Sequence, residues 1–237
     1  MKTLKKDNIS YIDTEEDFSK TPLLILHGWK QNKESWIDII NILKKSHRII
    51  CIDLPGFGES INKEFLNFTV EDYSNSIETF LKDIGIKKVI ILSHSFGGRI
   101  AINMTIRNKI SISKLILFSS AGIINKNNNI NYSLLKRIVP ESIKNRIRSR
   151  DYKESGELKN IFLNAINFNI EPLLKDIFIP TLIIWGDEDK ELGLDNAYII
   201  NKEIKESELK IMKGNTHFAH MENPYLFTGY INRFLEK

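Results

Sequence analysis

Residues 91–100, ILSHSFGGRI, join an apolar run to a segment of helical period through a turn with two serines and two glycines. Ser95 lies at the apex of this turn, and Gly97 supplies a small residue two positions on. A strained turn of this kind exposes a hydroxyl at the end of a strand, and small residues let strand and helix approach closely. The pattern predicts that Ser95 is a nucleophile; the alternative is an ordinary strand-to-helix turn. Ser93 is a poor candidate because Ser95, and not glycine, stands two places after it.

Short β-branched runs alternate with longer segments of helical period on both sides of this turn. The predicted strands are ISYID, PLLILH, HRIICID, KVIILS, KLILFS, TLIIWG and ELKIM. Several are apolar at consecutive positions, as expected for strands covered by helices on both faces. Residues 69–85 carry an apolar helical stripe, with Thr69 able to cap its start and Gly85 able to end it. The alternation predicts an α/β fold with a mostly parallel sheet flanked by helices.

Residues 123–179 interrupt this alternation, because they contain several short helical pieces and no convincing strand. We interpret them as a small helical cap, inserted into a core formed by residues 1–122 and 180–237. Within this segment, residues 136–153 hold seven Lys or Arg against two acids. A solvated helix face is the default interpretation of this charge, and attraction of an anionic substrate is the alternative.

Net charge and cysteine content indicate which kinds of binding partner and metal site to expect. The formal charge of +4 is modest for 237 residues, so we expect a small-molecule partner and no nucleic acid. Cys51 is the only cysteine, which excludes an internal disulfide and a thiolate metal cluster within one chain. No P-loop, dinucleotide fingerprint, metal-ligand cluster or apolar membrane span is found, so we expect no metal or cofactor and a cytoplasmic location. The sequence carries no prediction of oligomeric state.

A nucleophilic serine needs a base, and the base needs a carboxylate to orient it. WGDED, residues 185–189, ends a predicted strand in acids, and GNTHFAHMENP, residues 214–224, offers a histidine after the last predicted strand. Open α/β sheets collect their sites at the carboxyl ends of the strands. The spacing therefore predicts that the serine turn, the acidic loop and the histidine loop meet at one edge of the sheet.

Five segments in this order resemble the α/β-hydrolase superfamily, in its compact single-cap branch. They are LILHGW at residues 24–29, DLPGFGES at residues 53–60, SHSFGG at residues 93–98, and the acidic and histidine loops just described. Each segment alone is weakly specific. Together and in order they imply the α/β-hydrolase fold over nearly all of the chain outside the cap.

The resemblance implies a catalytic role for three residues. Ser95 corresponds to the nucleophile, His217 to the general base, and Asp189 to the carboxylate that orients the base. Acidic loops of the superfamily read G-x-x-D, which selects Asp189; Asp187 is the alternative, and Glu188 would point elsewhere on the loop. Use of a serine nucleophile sets the chain apart from relatives that use aspartate, such as dehalogenases and epoxide hydrolases.

The other four histidines receive no catalytic role. The resemblance makes His27 a structural hydrogen-bonding residue beside the oxyanion loop. His220 is expected to be a surface residue or a residue that supports the site from behind. His94, at the variable position of the turn, and His47, at a strand start, have no catalytic claim.

The resemblance also assigns the oxyanion hole and part of the pocket. The backbone N–H groups of Trp29 and Phe96 would bind the developing oxyanion, and Phe96 begins the helix behind Ser95. The side chains of Trp29 and Phe96, together with Phe162 and Phe168 of the predicted cap, are expected to line the substrate pocket. Trp29 and Phe96 could equally be ordinary apolar wall residues, and Phe162 and Phe168 are most simply cap residues that pack on the core.

The expected function is that of a serine hydrolase that cleaves carboxylic esters through an acyl-enzyme. HGW together with DLPGFGES resembles the small carboxylesterases, and a short cap favours small or medium acyl groups over long chains. Carbon–carbon bond hydrolysis, a lyase step or acyl transfer by the same three residues is the alternative. A ligand receptor built on the fold is less favoured, because the set of three residues is complete.

Overall fold

Eight strands form one sheet in the computed structural model, which describes residues 2–6, 8–14, 21–124 and 156–237. The order across the sheet is β1-β2-β4-β3-β5-β6-β7-β8, in which β2 pairs antiparallel with β1 and β4, and every other pairing is parallel. The strands are β1 (Lys2–Lys6), β2 (Ile9–Asp13), β3 (Leu23–Leu26), β4 (Ile49–Ile52), β5 (Lys88–His94), β6 (Ser111–Phe118), β7 (Thr181–Gly186) and β8 (Ser207–Met212). The predicted α/β fold with a mostly parallel sheet is confirmed. All seven predicted strands are present. The eighth strand, β1, was not predicted because its sequence, KTLKK, is mostly charged.

Helices cover both faces of the sheet. Those of the described residues are α1 (Ile37–Leu43), α2 (Val70–Asp83), α3 (Phe96–Arg107), α4 (Lys159–Ile166), α5 (Glu171–Leu174), α6 (Asp195–Glu203), α7 (Ala219–Glu222) and α8 (Pro224–Leu235). Successive strand residues belong to different clusters, with Leu24 and Leu26 packed on the side of α2, α3 and α6, and Leu23 and Ile25 on the side of α1 and α8. This burial of both faces explains the consecutively apolar strands. None of the helices formed by the described residues is long and apolar enough to cross a bilayer.

Helix α2 begins and ends where the sequence predicts. Thr69 forms a capping box with Asp72, whose carboxylate accepts from the Thr69 N–H at 2.9 Å while the Thr69 hydroxyl accepts from the Asp72 N–H at 3.2 Å. Gly85 has a φ of +78° just beyond the helix, a backbone conformation that favours glycine.

Helices α4 and α5 lie between β6 and β7, within the segment predicted to be a cap. Helix α4 buries Ile161 and Phe162, and Asn164 on the same helix donates hydrogen bonds to the carbonyls of Asn67 and Phe68. Residues 125–155, and with them the basic stretch 136–153, lie outside the described residues. The division into a core and a cap over residues 123–179 therefore stays a prediction.

A buried ion pair fastens the loop after β3 to the loop after β4. Lys33 and Asp53 are both fully buried, and Lys33 Nζ donates to Asp53 Oδ2 at 2.8 Å and to Glu59 Oε2 at 2.9 Å. Burial alone would lower the pKa of Lys33, but its hydrogen bonds to Asp53, Glu34 and Glu59 raise it, so the side chain stays charged. This network fixes two of the loops that surround the candidate site.

Candidate active site

Ser95 lies between β5 and α3 in a strained backbone conformation, with φ 48° and ψ −109°. Three hydrogen bonds hold it there: its N–H donates to the Phe118 carbonyl at 3.1 Å, and its own carbonyl accepts from Gly98 at 3.0 Å and Ala121 at 3.1 Å. A positive φ is uncommon for a residue other than glycine and persists where the surrounding structure imposes it. The turn is therefore built to hold Ser95 at the end of the strand.

The two glycines after the serine allow α3 to pack closely on its neighbours. A Cβ at Gly97 would overlap the carbonyl oxygens of Leu26 and His27, and a Cβ at Gly98 would overlap the side chain of Ser120. Backbone carbonyls cannot move aside as a flexible side chain can. Ser120 is fully buried and has little room to move, so the need for small residues, anticipated for Gly97, extends to Gly98.

Ser93, which stands where the usual pattern has glycine, is accommodated inside the sheet. Its side chain is fully buried, and Oγ donates to the Ile116 carbonyl of β6 at 3.2 Å. The hydroxyl is therefore satisfied by a neighbouring strand and points away from solvent. The two serines thus differ in solvent exposure: Ser93 is buried, whereas Ser95 is partly accessible.

Asp189 and His217 form a buried pair at the same edge of the sheet. Asp189 Oδ2 lies 2.8 Å from His217 Nδ1, while Oδ1 accepts from the N–H groups of Glu191 at 3.0 Å and Leu192 at 3.1 Å. Burial would raise the pKa of Asp189, but the hydrogen bonds from His217 and the Leu192 N–H hold the pKa below its usual value. An ionised carboxylate only accepts, so Nδ1 carries a proton, and in the neutral imidazole Nε2 is then the acceptor.

Asp187, the alternative acid, faces another way. It is exposed, and its Oδ1 accepts from the Gly214 N–H at 2.7 Å, which fastens the acidic loop to the start of the histidine loop. Glu188 is also exposed. Of the three acids in WGDED, the structure brings Asp189 to His217.

Glu222, near the end of the histidine loop, stabilises the start of that loop by hydrogen bonds to Thr216. Its carboxylate accepts from the Thr216 N–H at 2.8 Å and from the Thr216 hydroxyl. His217 Nε2 lies 3.6 Å from Glu191 Oε2, and the described residues include no hydrogen bond between Ser95 Oγ and Nε2. Hydrogen bonds between a nucleophile and its base commonly tighten only when substrate binds. The loop thus supplies an imidazole that is oriented by Asp189 and has Nε2 available.

Two backbone N–H groups near Ser95 are available for a ligand. The N–H of Phe96 is at the first position of α3, where a helix has no internal acceptor and the helix dipole favours negative charge. Within the described ranges, neither this group nor the N–H of Trp29 has a hydrogen-bond acceptor. These are the two groups that the resemblance assigns to an oxyanion hole.

An aromatic cluster lies beside these groups. The Trp29 ring is centred 5.1 Å from Phe57, 5.7 Å from Phe96 and 5.2 Å from Phe162. Phe168 is half-buried against the same hydrophobic core. Sequence reasoning missed Phe57; its apolar side chain between the two glycines of DLPGFGES was the available signal.

The remaining histidines near the site are buried and uncharged. His27 Nε2 accepts from the Leu54 N–H at 2.9 Å, and burial lowers the pKa of His27 to about 4. His220 is fully buried, contrary to a surface position, and stacks on Trp36 with ring centroids 4.5 Å apart. Burial, reinforced by His217, lowers the pKa of His220 to about 3. Both the His27 ring and the His220 ring are therefore closed off from solvent, and neither is placed to exchange protons with a substrate.

Arg99 is a feature that sequence reasoning missed. It lies one helical turn after Ser95 on α3, and its Nε is buried with no hydrogen-bond partner within the described ranges. Burial lowers the pKa of Arg99 to about 10, which still leaves it charged at neutral pH. A buried guanidinium Nε that has no partner among the described residues is unusual, and the spacing of four from Ser95 was the signal in the sequence.

Comparisons with known proteins agree with this architecture. A family model described as alpha/beta hydrolase fold matches residues 21–135. The uncharacterized hydrolase YugF of Bacillus subtilis is 22% identical, over 95% of this chain and 94% of its own. Monoacylglycerol lipase ABHD6 of Mus musculus is 21% identical, over 86% of this chain and 72% of its own. A crystal structure of a bacterial membrane phospholipase A superposes with a TM-score of 0.80 at 23% identity, covering 99% of this chain and 85% of that one.

The family match and the sheet order identify the class of protein. The chain has the α/β-hydrolase fold, and its residues 21–135 match the model of that family. Three of the five sequence segments that suggested this superfamily are the serine turn, the acidic loop and the histidine loop described above.

Proposed function

We propose that the protein is a serine hydrolase that cleaves carboxylic esters through an acyl-enzyme. The observation that carries this proposal is the buried Asp189–His217 pair, with 2.8 Å between Oδ2 and Nδ1, at the same sheet edge as the strained Ser95. A nucleophile, a base and a group that orients the base are the parts that this chemistry requires. The superfamily match supports the same assignment.

Acylation begins when Ser95 Oγ attacks the ester carbonyl carbon and His217 Nε2 takes the hydroxyl proton. Asp189 stabilises the imidazolium that forms and keeps its Nδ1–H in place. The carbonyl oxygen becomes an oxyanion, which accepts hydrogen bonds from the N–H groups of Trp29 and Phe96. When the C–O bond to the alcohol breaks, His217 returns the proton to the leaving oxygen, and the acyl group stays on Ser95.

Deacylation repeats these steps with water. His217 Nε2 takes a proton from a water molecule, whose oxygen attacks the acyl carbon. The second oxyanion forms on the same two N–H groups, and its collapse releases the carboxylic acid while Ser95 Oγ recovers the proton from His217. The reaction consumes one water and needs no redox partner.

The aromatic cluster formed by Trp29, Phe57, Phe96 and Phe162 supports an acyl pocket of limited length. Rings 5.1–5.7 Å from Trp29 pack against it and fill the space beside the two N–H groups, so we expect this wall to accept a compact acyl group rather than a long chain. We expect the highest kcat/KM on acetyl to octanoyl p-nitrophenyl esters and a steep fall for palmitoyl, with Ser95→Ala protein as the blank. A maximum at palmitoyl would contradict this pocket.

Arg99 favours a second candidate: a substrate whose acyl part carries a carboxylate, cleaved by the same three residues at an ester or a carbon–carbon bond. Side chains four apart share a helix face and lean toward the helix N-terminus, so Arg99 leans toward Ser95. A guanidinium whose buried Nε has no partner among the described residues suits an anionic group.

An anionic ester tests this candidate. In Arg99→Met protein, kcat/KM for p-nitrophenyl hemisuccinate should fall about 10- to 100-fold, as for loss of a hydrogen bond to a charged group, while the butyrate ester is little affected. Arg233→Met, which removes an exposed cation from α8, is the matched control and should change neither ester. Equal losses on both esters would count against an anion site.

A further inference from the structure

His94 lies between two loops, although the function proposed above does not use it. One is the loop after β3 that contains Gly28, Trp29 and Gln31, here called the oxyanion loop, and the other is the histidine loop. It is the last residue of β5, immediately before Ser95, and is almost fully buried. Its Nε2 lies 3.0 Å from the His217 carbonyl oxygen, and its Nδ1 lies 2.9 Å from Gln31 Oε1. The side chain therefore touches two segments that are distant in sequence.

The chemistry of the neighbours decides where the His94 proton resides. Burial, with the nearby His217 and His220, lowers the pKa of His94 well below its usual value, so the ring is neutral and carries one N–H. Gln31 Oε1 already accepts from the Gly28 N–H at 2.8 Å. Within the described ranges, the His217 carbonyl has no other donor. The Nε2–H tautomer satisfies this carbonyl, which would otherwise be unpaired. Nδ1 then carries no proton, so it accepts a hydrogen bond from Gln31 only when the Gln31 amide is turned to present its Nε2, which has no partner among the described residues.

Packing leaves the His94 ring little freedom. The ring stacks on Phe118 with centroids 4.6 Å apart and lies 4.7 Å from the ring of His217. A Cβ added to Gly28 would meet Nδ1 at 2.7 Å, so glycine is needed where the oxyanion loop passes the ring. A rigid ring between these loops sets the distance from the backbone of His217 to the loop that carries Trp29.

We infer that His94 is a positioning residue, which holds His217 in register with Ser95 and the oxyanion loop through its Nε2–H hydrogen bond to the His217 carbonyl. The inference rests on the proposed hydrolase function. Asp189 fixes the orientation of the His217 ring, and His94 fixes the backbone from which that ring extends. Because a misplacement of about 1 Å in such a site can cost about 100-fold in rate, loss of this bond should act on turnover more than on binding.

Two replacements of His94 separate the hydrogen bond from the packing. His94→Phe keeps an aromatic ring against Phe118 but removes both nitrogens. His94→Gln carries an amide N–H at a reach similar to that of Nε2 and can restore the bond to the His217 carbonyl. His47→Gln, at a histidine that contacts Asn232 on α8, is the matched control.

We expect kcat for p-nitrophenyl butyrate to fall about 10- to 100-fold in His94→Phe, with little change in KM, and to recover most of that loss in His94→Gln. Rates are expressed per active site, counted by fluorophosphonate titration, and folding is followed by thermal unfolding. His47→Gln should retain the kcat and KM of the wild-type protein.

The outcomes distinguish this inference from the function on which it rests. Wild-type protein without Ser95-dependent hydrolysis would overturn the proposed function, and the positioning role with it. If that hydrolysis is present, an unchanged kcat in His94→Phe would overturn the positioning role alone. A kcat in His94→Gln no higher than in His94→Phe, or a loss accounted for entirely by unfolded protein, would also overturn it.

Discussion

Replacing Ser95 with alanine should reduce kcat for p-nitrophenyl butyrate by at least about 10⁴-fold, because the proposed nucleophile and its acyl-enzyme are lost together. The wild-type turn already holds the serine in a conformation with φ 48°, fixed by backbone hydrogen bonds to Phe118, Gly98 and Ala121. Since those bonds involve no side chain, the variant should keep the fold of the turn. Hydrolysis rates and thermal unfolding of the purified variant measure the two effects separately.

Ser93→Ala is the control for this experiment. Ser93 Oγ is buried and donates to the Ile116 carbonyl, so its removal should cost about 1 kcal/mol of stability and leave kcat close to the wild-type value. Loss of hydrolysis in Ser93→Ala with its retention in Ser95→Ala would reverse the assignment of the nucleophile.

Asp189→Asn should reduce kcat by about 10⁴-fold, the cost measured when a triad carboxylate is replaced by its amide. An amide NH₂ facing Nδ1 favours the tautomer in which Nε2 carries the proton, and that tautomer cannot accept the serine proton. The hydrogen bonds of Asp189 Oδ1 to the N–H groups of Glu191 and Leu192 can be kept by the amide oxygen. The loss should therefore appear in kcat, with the fold retained.

Asp187→Asn provides the matched comparison two residues upstream. Its side chain is exposed and accepts from the Gly214 N–H, a bond that an amide oxygen can also accept, so kcat should stay within about tenfold of the wild-type value. The opposite ranking of the two variants would move the orienting acid to Asp187. Both variants are compared by kcat on one ester at one pH.

Local patterns in the sequence were sufficient to predict most of the fold. Apolar runs predicted seven of the eight strands, and Thr69 and Gly85 marked the ends of α2, because caps and β-branched runs act through neighbouring residues. The first strand, KTLKK, lies at an edge of the sheet and pairs only with β2, so it needs no apolar pattern. Its absence from the prediction reflects where it lies in the sheet.

The candidate site was less accessible to sequence reasoning where it depends on contacts between distant segments. His94 and His217 are 123 positions apart, and their 3.0 Å contact follows from the packing of β5 against the histidine loop. Burial of His220 on Trp36 has the same origin, as does the aromatic contact of Trp29 with Phe57. Motifs gave the residue types at the sheet edge, while their orientation depended on the tertiary structure.

The most direct test of the proposed chemistry is to find the residue that becomes covalently modified. The protein is incubated with a fluorophosphonate, digested, and the adduct located by tandem mass spectrometry of the peptide spanning residues 91–100. We predict a single adduct on Ser95, formed more slowly in Asp189→Asn protein because His217 is then misaligned. An adduct on Ser93 or on a residue outside this peptide would contradict the assignment of Ser95 as the nucleophile.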